Sequence, residues 1–212
     1  MTSGNRGRFI VLEGIDGAGT TTQTERLVAA LRARGRPAEA TREPSRGPVG
    51  HLLREILLGQ HRMTDGSSLG GGVMALLFAA DRLDHLQREV EPLLARGADV
   101  VSDRYLMSSL AYQAEEADRG WVVSLARGVR DPDLTVLVDV PVGVAAQRRQ
   151  RAGRPIERYD ADSVLARVAT NYRDLARADA RVAVIDGDGT PDEVARAIAA
   201  VVERRLGLGA GA

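Results

Sequence analysis

The sequence predicts an α/β fold, with a mostly parallel sheet covered by helices on both faces. Two observations predict it. Strand-like and helix-like segments alternate along the whole chain, which is typical of repeated strand–helix–strand units. The clearest strand-like segments are short apolar runs, as expected for strands buried on both faces. The 212 residues contain no internal repeat and no long linker, so we expect one domain over residues 1–212.

Five segments have the length and composition of strands. The segment FIVLE at residues 9–13 ends at a glycine, and the segment LTVLV at residues 134–138 is similarly apolar. Short runs rich in valine, isoleucine and leucine favour buried strands. The predicted strands cover residues 9–13, 37–41, 98–102, 134–138 and 181–185.

Helical periodicity accounts for most of the remaining chain. Leu27, Val28 and Leu31 are spaced as on one face of a helix, and Gly35 is a typical helix stop. Residues 63–72 are rich in glycine and serine and are predicted to form a loop. The predicted helices cover residues 21–34, 49–58, 73–95 with a break near Pro92, 105–117, 121–129, 142–151, 161–178 and 191–206.

Composition argues against several classes of protein. The 29 basic and 29 acidic residues give a formal net charge of zero, so we expect no nucleic acid polymer as a partner. Cysteine is absent, which excludes disulfides and thiolate metal sites and makes the cytoplasm the expected compartment. No apolar run approaches the roughly 18 residues that a membrane span needs, so no membrane partner is expected either.

The strongest local signal is the segment GIDGAGTTT at residues 14–22, between a predicted strand and a predicted helix. In that context a glycine-rich loop cradles phosphates with its backbone N–H groups. Thr21 stands where a hydroxyl would reach Mg²⁺, whereas Thr20 stands where the usual pattern has lysine. The alternative is a glycine turn without a ligand. The predicted phosphate-binding residues are Gly14, Ile15, Asp16, Gly17, Ala18, Gly19, Thr20, Thr21 and Thr22.

A second signal is the segment VVSDRY at residues 100–105. A carboxylate at the end of a parallel strand faces the ligand crevice of such a sheet. Asp103 could therefore hold Mg²⁺ or orient an acceptor phosphate, and Arg104 could clamp that phosphate with its fork of donors. The alternative is a surface salt bridge.

A third signal is the arginine-rich segment at residues 148–158. One interpretation is a solvated charged face. The other is a mobile lid, about residues 149–160, whose arginines neutralise the phosphates during transfer. Its arginines are Arg148, Arg149, Arg151, Arg154 and Arg158.

Together these segments resemble the thymidylate kinase family over nearly the whole chain. The matching pieces occur in the family's order: FIVLEGIDGAG at 9–19, TREP at 41–44, LLFAADR at 76–82, DRYLMSSLAYQ at 103–113 and PDLTVLVDV at 132–140. The resemblance implies a P-loop NTPase-type three-layer sandwich, with a five-stranded parallel sheet and an arginine-rich lid. It also implies ATP and dTMP as substrates, Mg²⁺ as the cofactor and a homodimer.

The resemblance further implies roles for single residues. Phe78 would stack on thymine, which fits the physics of aromatic–base contacts, although a core aromatic is the alternative. Tyr112 would crowd the sugar 2′ position and favour deoxyribose. The implied dTMP-binding residues are Glu43, Arg54, Phe78, Arg82, Arg104, Ser109, Tyr112 and Gln113. The implied catalytic residues are Asp16, Asp103, Arg104, Arg151 and Arg154, the metal-binding residues are Thr21 and Asp103, and Arg148 joins the ATP-binding loop.

The chain departs from the family pattern at Thr20 and in the glycine-rich stretch at residues 67–72. The phosphate loop also lacks an arginine, so the resemblance implies a catalytic arginine from the lid: Arg149, Arg151 or Arg154. Two alternatives stay open: another deoxynucleotide or nucleoside kinase of this fold, and a nucleotide-binding regulator or pseudokinase that has lost catalysis.

Overall fold

A computed structural model describes residues 6–61, 64–153, 155 and 157–207. Its centre is a sheet of five parallel strands in the order β2-β3-β1-β4-β5. The five-stranded parallel sheet expected from the sequence is therefore confirmed. The strands are β1 (Phe9–Glu13), β2 (Ala38–Arg42), β3 (Asp99–Asp103), β4 (Leu134–Asp139) and β5 (Val182–Asp186).

Helices connect the strands. They are α1 (Thr20–Ala33), α2 (Pro48–Leu57), α3 (Gly71–His85), α4 (Glu91–Ala95), α5 (Leu106–Tyr112), α6 (Arg119–Ser124), α7 (Val142–Arg151), α8 (Asp162–Ala178) and α9 (Pro191–Leu206). A π-helical segment, Leu86–Val90, links α3 to α4, and a 3₁₀ turn, Gln113–Glu115, follows α5.

Several helix predictions differ from the structure. The helix predicted over residues 105–117 ends at Tyr112, and the one predicted over 121–129 ends at Ser124. The predicted break near Pro92 is instead the π-helical segment, because proline lacks the N–H for an α-helical hydrogen bond. Helix α6 begins at Arg119 rather than 121, since the Asp118 carboxylate caps it by accepting from the backbone N–H of Trp121. Helix α3 begins at Gly71, so the predicted loop at 63–72 ends earlier; residues 62 and 63 lie outside the described residues.

The core has one part on each face of the sheet. Phe9 and Val11 point to one face, where they pack with Leu86, Val90 and Leu94. The alternate residues of β1 point to the other face, where α1 packs against β1 while α8 and α9 pack against β4 and β5. Because both faces are buried, β1 is apolar from Phe9 to Leu12 instead of alternating.

Parallel strands bring the carboxyl ends of β1, β2 and β3 to one edge. In the register of the sheet, Leu12 pairs with Asp103, and Asp103 pairs with Arg42. The loop after β1 and the polar residues that end β2 and β3 are therefore neighbours, as expected for the ligand edge of such a sheet. Within the described ranges, no helix is long and apolar enough to cross a membrane.

Candidate active site

A cavity of about 810 Å³ opens at the carboxyl edge of the sheet. Its lining comes from the glycine-rich loop, from α2 and α3, from the ends of β2 and β3, and from α7. Helix α5 contributes Ser108 and Tyr112, and the loop between β5 and α9 contributes Gly187 and Gly189. The three sequence signals therefore meet in one cavity.

The glycine-rich loop has the backbone of a phosphate cradle. Gly17 and Gly19 have φ values of 92° and 93°, which glycine adopts without the cost that other residues incur. Gly19 is the N-cap of α1, so the free N–H groups of the first helical turn lie at the loop and favour an anion. Thr20 is 6% exposed and its γ-methyl carbon lies beside Gly14, so this side chain packs under the loop.

Asp103 and Thr21 have the arrangement expected of magnesium ligands. The Thr21 hydroxyl donates to Oδ2 of Asp103 at 2.5 Å. The other carboxylate oxygen, Oδ1, is buried and accepts no hydrogen bond from the part of the chain that the structure describes. An unpartnered buried oxygen beside a hydroxyl fits Mg²⁺, which takes few protein oxygens and keeps most of its water and phosphate ligands.

Arg104 is fixed next to the loop in an unusual backbone conformation. Its φ of 73° is in the left-handed region, which costs a residue other than glycine about 1 kcal/mol or more. The Ser102 hydroxyl holds this conformation by donating to the Arg104 carbonyl at 2.7 Å. The guanidinium then donates to Asp16 at 2.9 Å, and Tyr112 donates to the other oxygen of Asp16 at 3.1 Å. Burial and the Asp16 charge raise the pKa of Tyr112, so its hydroxyl stays protonated.

Behind the cavity, a buried network fixes the residues that follow β2. Arg82 is 2% exposed; it donates to Glu43 at 3.2 Å and to the Ser109 hydroxyl at 2.5 Å. His85 lies beside Glu43 at 3.2 Å. Arg54 donates to the carbonyl of Pro44. Glu43 is thereby held at the cavity wall by two partners.

The structure brings most of the predicted site residues together. The cavity lining includes Asp16, Gly17, Ala18, Gly19, Thr20, Thr21, Thr22, Glu43, Arg54, Phe78, Asp103, Arg104, Tyr112, Gln113 and Arg148. Gly14, Ile15, Arg82, Ser109 and Arg151 do not line it, and Arg151 is exposed. Arg154 lies outside the described residues.

Sequence reasoning did not single out several lining residues. They are Gln23, Arg42, Pro44, Leu57, Leu58, Ser108, Ala152, Glu157, Tyr159, Gly187, Gly189, Pro191 and Val194. The segment DGDG at residues 186–189, directly after a strand, is a signal that could have indicated the β5–α9 loop. Arg149 also lines the cavity and had been one of three lid candidates.

Glu13, at the end of β1, is a buried carboxylate beneath the site. One oxygen accepts from the backbone N–H groups of Tyr105 and Ser108 at 3.0 and 3.2 Å. The other accepts from the hydroxyls of Ser108 and Tyr172 at 2.6 and 3.0 Å. Burial outweighs these hydrogen bonds and raises the pKa of Glu13 above 4.5. Both hydroxyls can turn and accept, so the network also suits a protonated Glu13.

We predict that Glu13→Gln gains stability relative to the parent protein as pH rises. The folded state holds the Glu13 proton to higher pH than the unfolded chain does. Folding therefore becomes less favourable as pH rises from about 4.5 through the raised pKa, and glutamine removes this loss. Urea unfolding of both proteins at pH 5 and pH 7.5 measures the difference. A difference in unfolding free energy that is constant or shrinks with pH would contradict the prediction.

Comparison with known proteins identifies the family. A family model described as thymidylate kinase matches residues 12–198. A probable thymidylate kinase of Pyrobaculum aerophilum is 41% identical over 199 residues, covering 92% of this chain and 96% of the relative. The thymidylate kinase of Thermomicrobium roseum is 41% identical over 202 residues, covering 92% and 93%. The solved thymidylate kinase of Candida albicans shares the fold, with a TM-score of 0.80 at 24% identity over 96% of this chain and 94% of that one. The chain belongs to the thymidylate kinase family.

Proposed function

We propose that this protein transfers the γ-phosphoryl group of ATP to dTMP, giving ADP and dTDP in dTTP biosynthesis. One observation supports this most strongly: the phosphate cradle, the aromatic ring of Phe78 and several arginines line one and the same cavity. Asp103 and Arg104 line that cavity too. A cavity of about 810 Å³ is within the range of small-molecule sites, and here it would be filled largely by two nucleotides.

The donor half binds ATP through its phosphates. The N–H groups of the loop from Gly17 to Thr21 would hold the β- and γ-phosphates. Thr21 and Asp103 would hold Mg²⁺, which when bound neutralises phosphate charge and orients the triphosphate. Arg148 donates to the carbonyls of Ala18 and Gly189, which places its guanidinium between the loop and the β5–α9 segment.

The acceptor half positions dTMP for in-line attack. Phe78 is half-buried in the wall and offers a face for the thymine ring. Gln113 and Arg54 both line the cavity, where Gln113 would offer its amide to the base edge and Arg54 would contact the thymine side. Arg104, held by Asp16, presents its guanidinium to the dTMP phosphate. An oxygen of that phosphate attacks the γ-phosphorus, and the bond to the β-phosphate oxygen breaks.

We further propose that the chain is one kinase domain with a lid at about residues 149–160, and that it works as a homodimer in the cytoplasm. Exposed apolar side chains on α2, at its C-cap Leu58 and on α3 support the dimer, because a monomer seldom exposes several in one region. These side chains are Leu52, Leu58, Val73, Leu76 and Leu83. The absence of cysteine supports a reducing compartment.

The test is dTMP-dependent ADP release with ATP and Mg²⁺, compared with thymidine and other nucleoside monophosphates. We expect release with dTMP above all other acceptors. Thr20 favours one competing function, a regulator that binds nucleotide without catalysis. ATP binding by calorimetry with no acceptor-dependent ADP release would establish that function instead. Faster release with another acceptor would assign a different kinase.

A further inference from the structure

The phosphate loop of this protein has no cation of its own. Residues 14–22 contain neither lysine nor arginine, and Thr20 stands where the usual pattern places a lysine. That lysine normally supplies a point charge to the outer phosphates. The whole chain contains no lysine, and all 29 of its Lys and Arg residues are arginine. None of the three histidines, all of which the structure describes, lines the cavity, so a side-chain cation that replaces the loop lysine must be an arginine from elsewhere.

Helix α7 is placed to deliver such an arginine. A Cβ atom on Gly17 would lie 2.4 Å from the carbonyl oxygen of Ala145, so the first turns of α7 lie directly against the loop. Two consecutive arginines of this helix, Arg148 and Arg149, line the cavity. Arg151, two residues further on, is exposed and does not line it.

Of these two arginines, Arg149 makes the shorter contact with the loop. Its Nη1 donates to the carbonyl of Asp16 at 2.7 Å. Arg148 contacts the loop at Ala18 over 3.4 Å and reaches away to Gly189, towards the β5–α9 segment. Arg149 therefore lies on the loop itself, whereas Arg148 spans from the loop to the far wall.

Arg149 is also held from the lid side. Its guanidinium lies 3.4 Å from the carboxylate of Asp160 and 3.2 Å from that of Asp162. The Arg149 side chain is 12% exposed, so burial strengthens its interactions. Asp162, by contrast, is 68% exposed, so water screens that pair and a bound triphosphate can compete for the guanidinium.

We propose that Arg149 takes the place of the missing loop lysine as a catalytic residue. Anchored on the Asp16 carbonyl, its guanidinium turns N–H donors from Asp162 to the outer phosphate oxygens of ATP and stabilises the charge that develops during transfer. Asp160 lies at the end of the lid and Asp162 directly follows it. The Arg149 side chain, which contacts both, therefore links charge stabilisation to the position of the lid. The proposal rests on the kinase function proposed above and names Arg149 as the source of one positive charge in that reaction.

The decisive experiment is a rescue by lysine at the position that lacks it. We expect Arg149→Gln to lower kcat by about 10²–10³-fold, the usual effect of removing one preorganised donor. ATP affinity, measured by calorimetry, should fall about tenfold, as for a lost charged hydrogen bond. Adding Thr20→Lys to Arg149→Gln should restore at least part of the lost kcat and of the lost ATP affinity. Arg149→Lys should retain more activity than Arg149→Gln. Arg177→Gln, which removes an exposed charge on α8, is the matched control.

Three results would overturn the proposal. Arg149→Gln could keep the kcat and ATP affinity of the parent. Arg149→Lys could lose as much activity as Arg149→Gln, and adding Thr20→Lys to Arg149→Gln could restore none of it. Arg149 would then be a tether between the lid and the loop. If Arg149→Gln lowers the melting temperature enough to explain its loss of activity, the role of Arg149 would be structural. If the parent releases no ADP with any acceptor, the proposed function fails, whereas the calorimetric comparison still decides the Arg149 contact with ATP.

Discussion

Replacing Asp103 with asparagine is expected to lower kcat by about 10²–10³-fold or more while the fold is retained. The change keeps the size of the side chain and removes only its charge. Asparagine can still accept the hydrogen bond from Thr21 through its amide oxygen. The amide NH₂ would then take the place of the buried Oδ1, which has no partner among the described residues. An NH₂ group carries no negative charge and cannot bind Mg²⁺ as an oxygen does.

The matched control for this variant is Asp174→Asn. Asp174 is a carboxylate on the surface of α8, where it pairs with Arg177. Steady-state ADP release and thermal melting should be measured for both variants over a range of Mg²⁺ concentrations. Near-normal turnover in Asp103→Asn would make Asp103 a structural partner of Thr21. A large fall in melting temperature would instead assign it to stability.

The second large effect concerns the choice of acceptor. We expect kcat/KM for dTMP to exceed that for dGMP or dAMP by on the order of 10⁴-fold, because a base that does not match the site leaves buried polar groups unpaired. Gln113 is 2% exposed and lines the cavity, so a lost partner there would not be replaced freely by water. Phe78 lines the same cavity and is expected to stack on the thymine ring.

We expect cytosine to be rejected for a different reason. Arginine donates hydrogen bonds and cannot accept them. If Arg54 contacts the base edge as proposed, it would suit the O4 oxygen of thymine and would meet the amino group of cytosine with a second donor. We expect dUMP, which keeps O4, to be a better acceptor than dCMP. Equal kcat/KM values for dTMP and a purine monophosphate would contradict this account of the site.

The elements of the sheet could be predicted because their signals are local. Residues 9–13 were predicted as a strand from five letters and a following glycine, and β1 has those bounds. The pattern of α9 is equally local, since Thr190 and Glu193 form a capping box that begins it. The carboxyl end of β3 was expected at the ligand edge, and Asp103 lies there by register with Leu12.

Contacts between distant segments could not be predicted in the same way. Arg82 and Ser109 were assigned to the dTMP site, yet in the structure they hydrogen-bond each other behind the cavity wall. The left-handed conformation of Arg104 has no sequence signature, because residues other than glycine adopt it only when their surroundings impose it. The contact between Arg149 and Asp16 joins residues 133 positions apart.

The central claim is tested most directly by following the transferred group. The parent protein is incubated with ATP labelled in the γ-phosphate, Mg²⁺ and dTMP, and the labelled products are separated and identified. We predict that the label appears in dTDP, in a one-to-one ratio with the ADP formed. Label that stays in ATP, or that appears only as inorganic phosphate, would contradict the account.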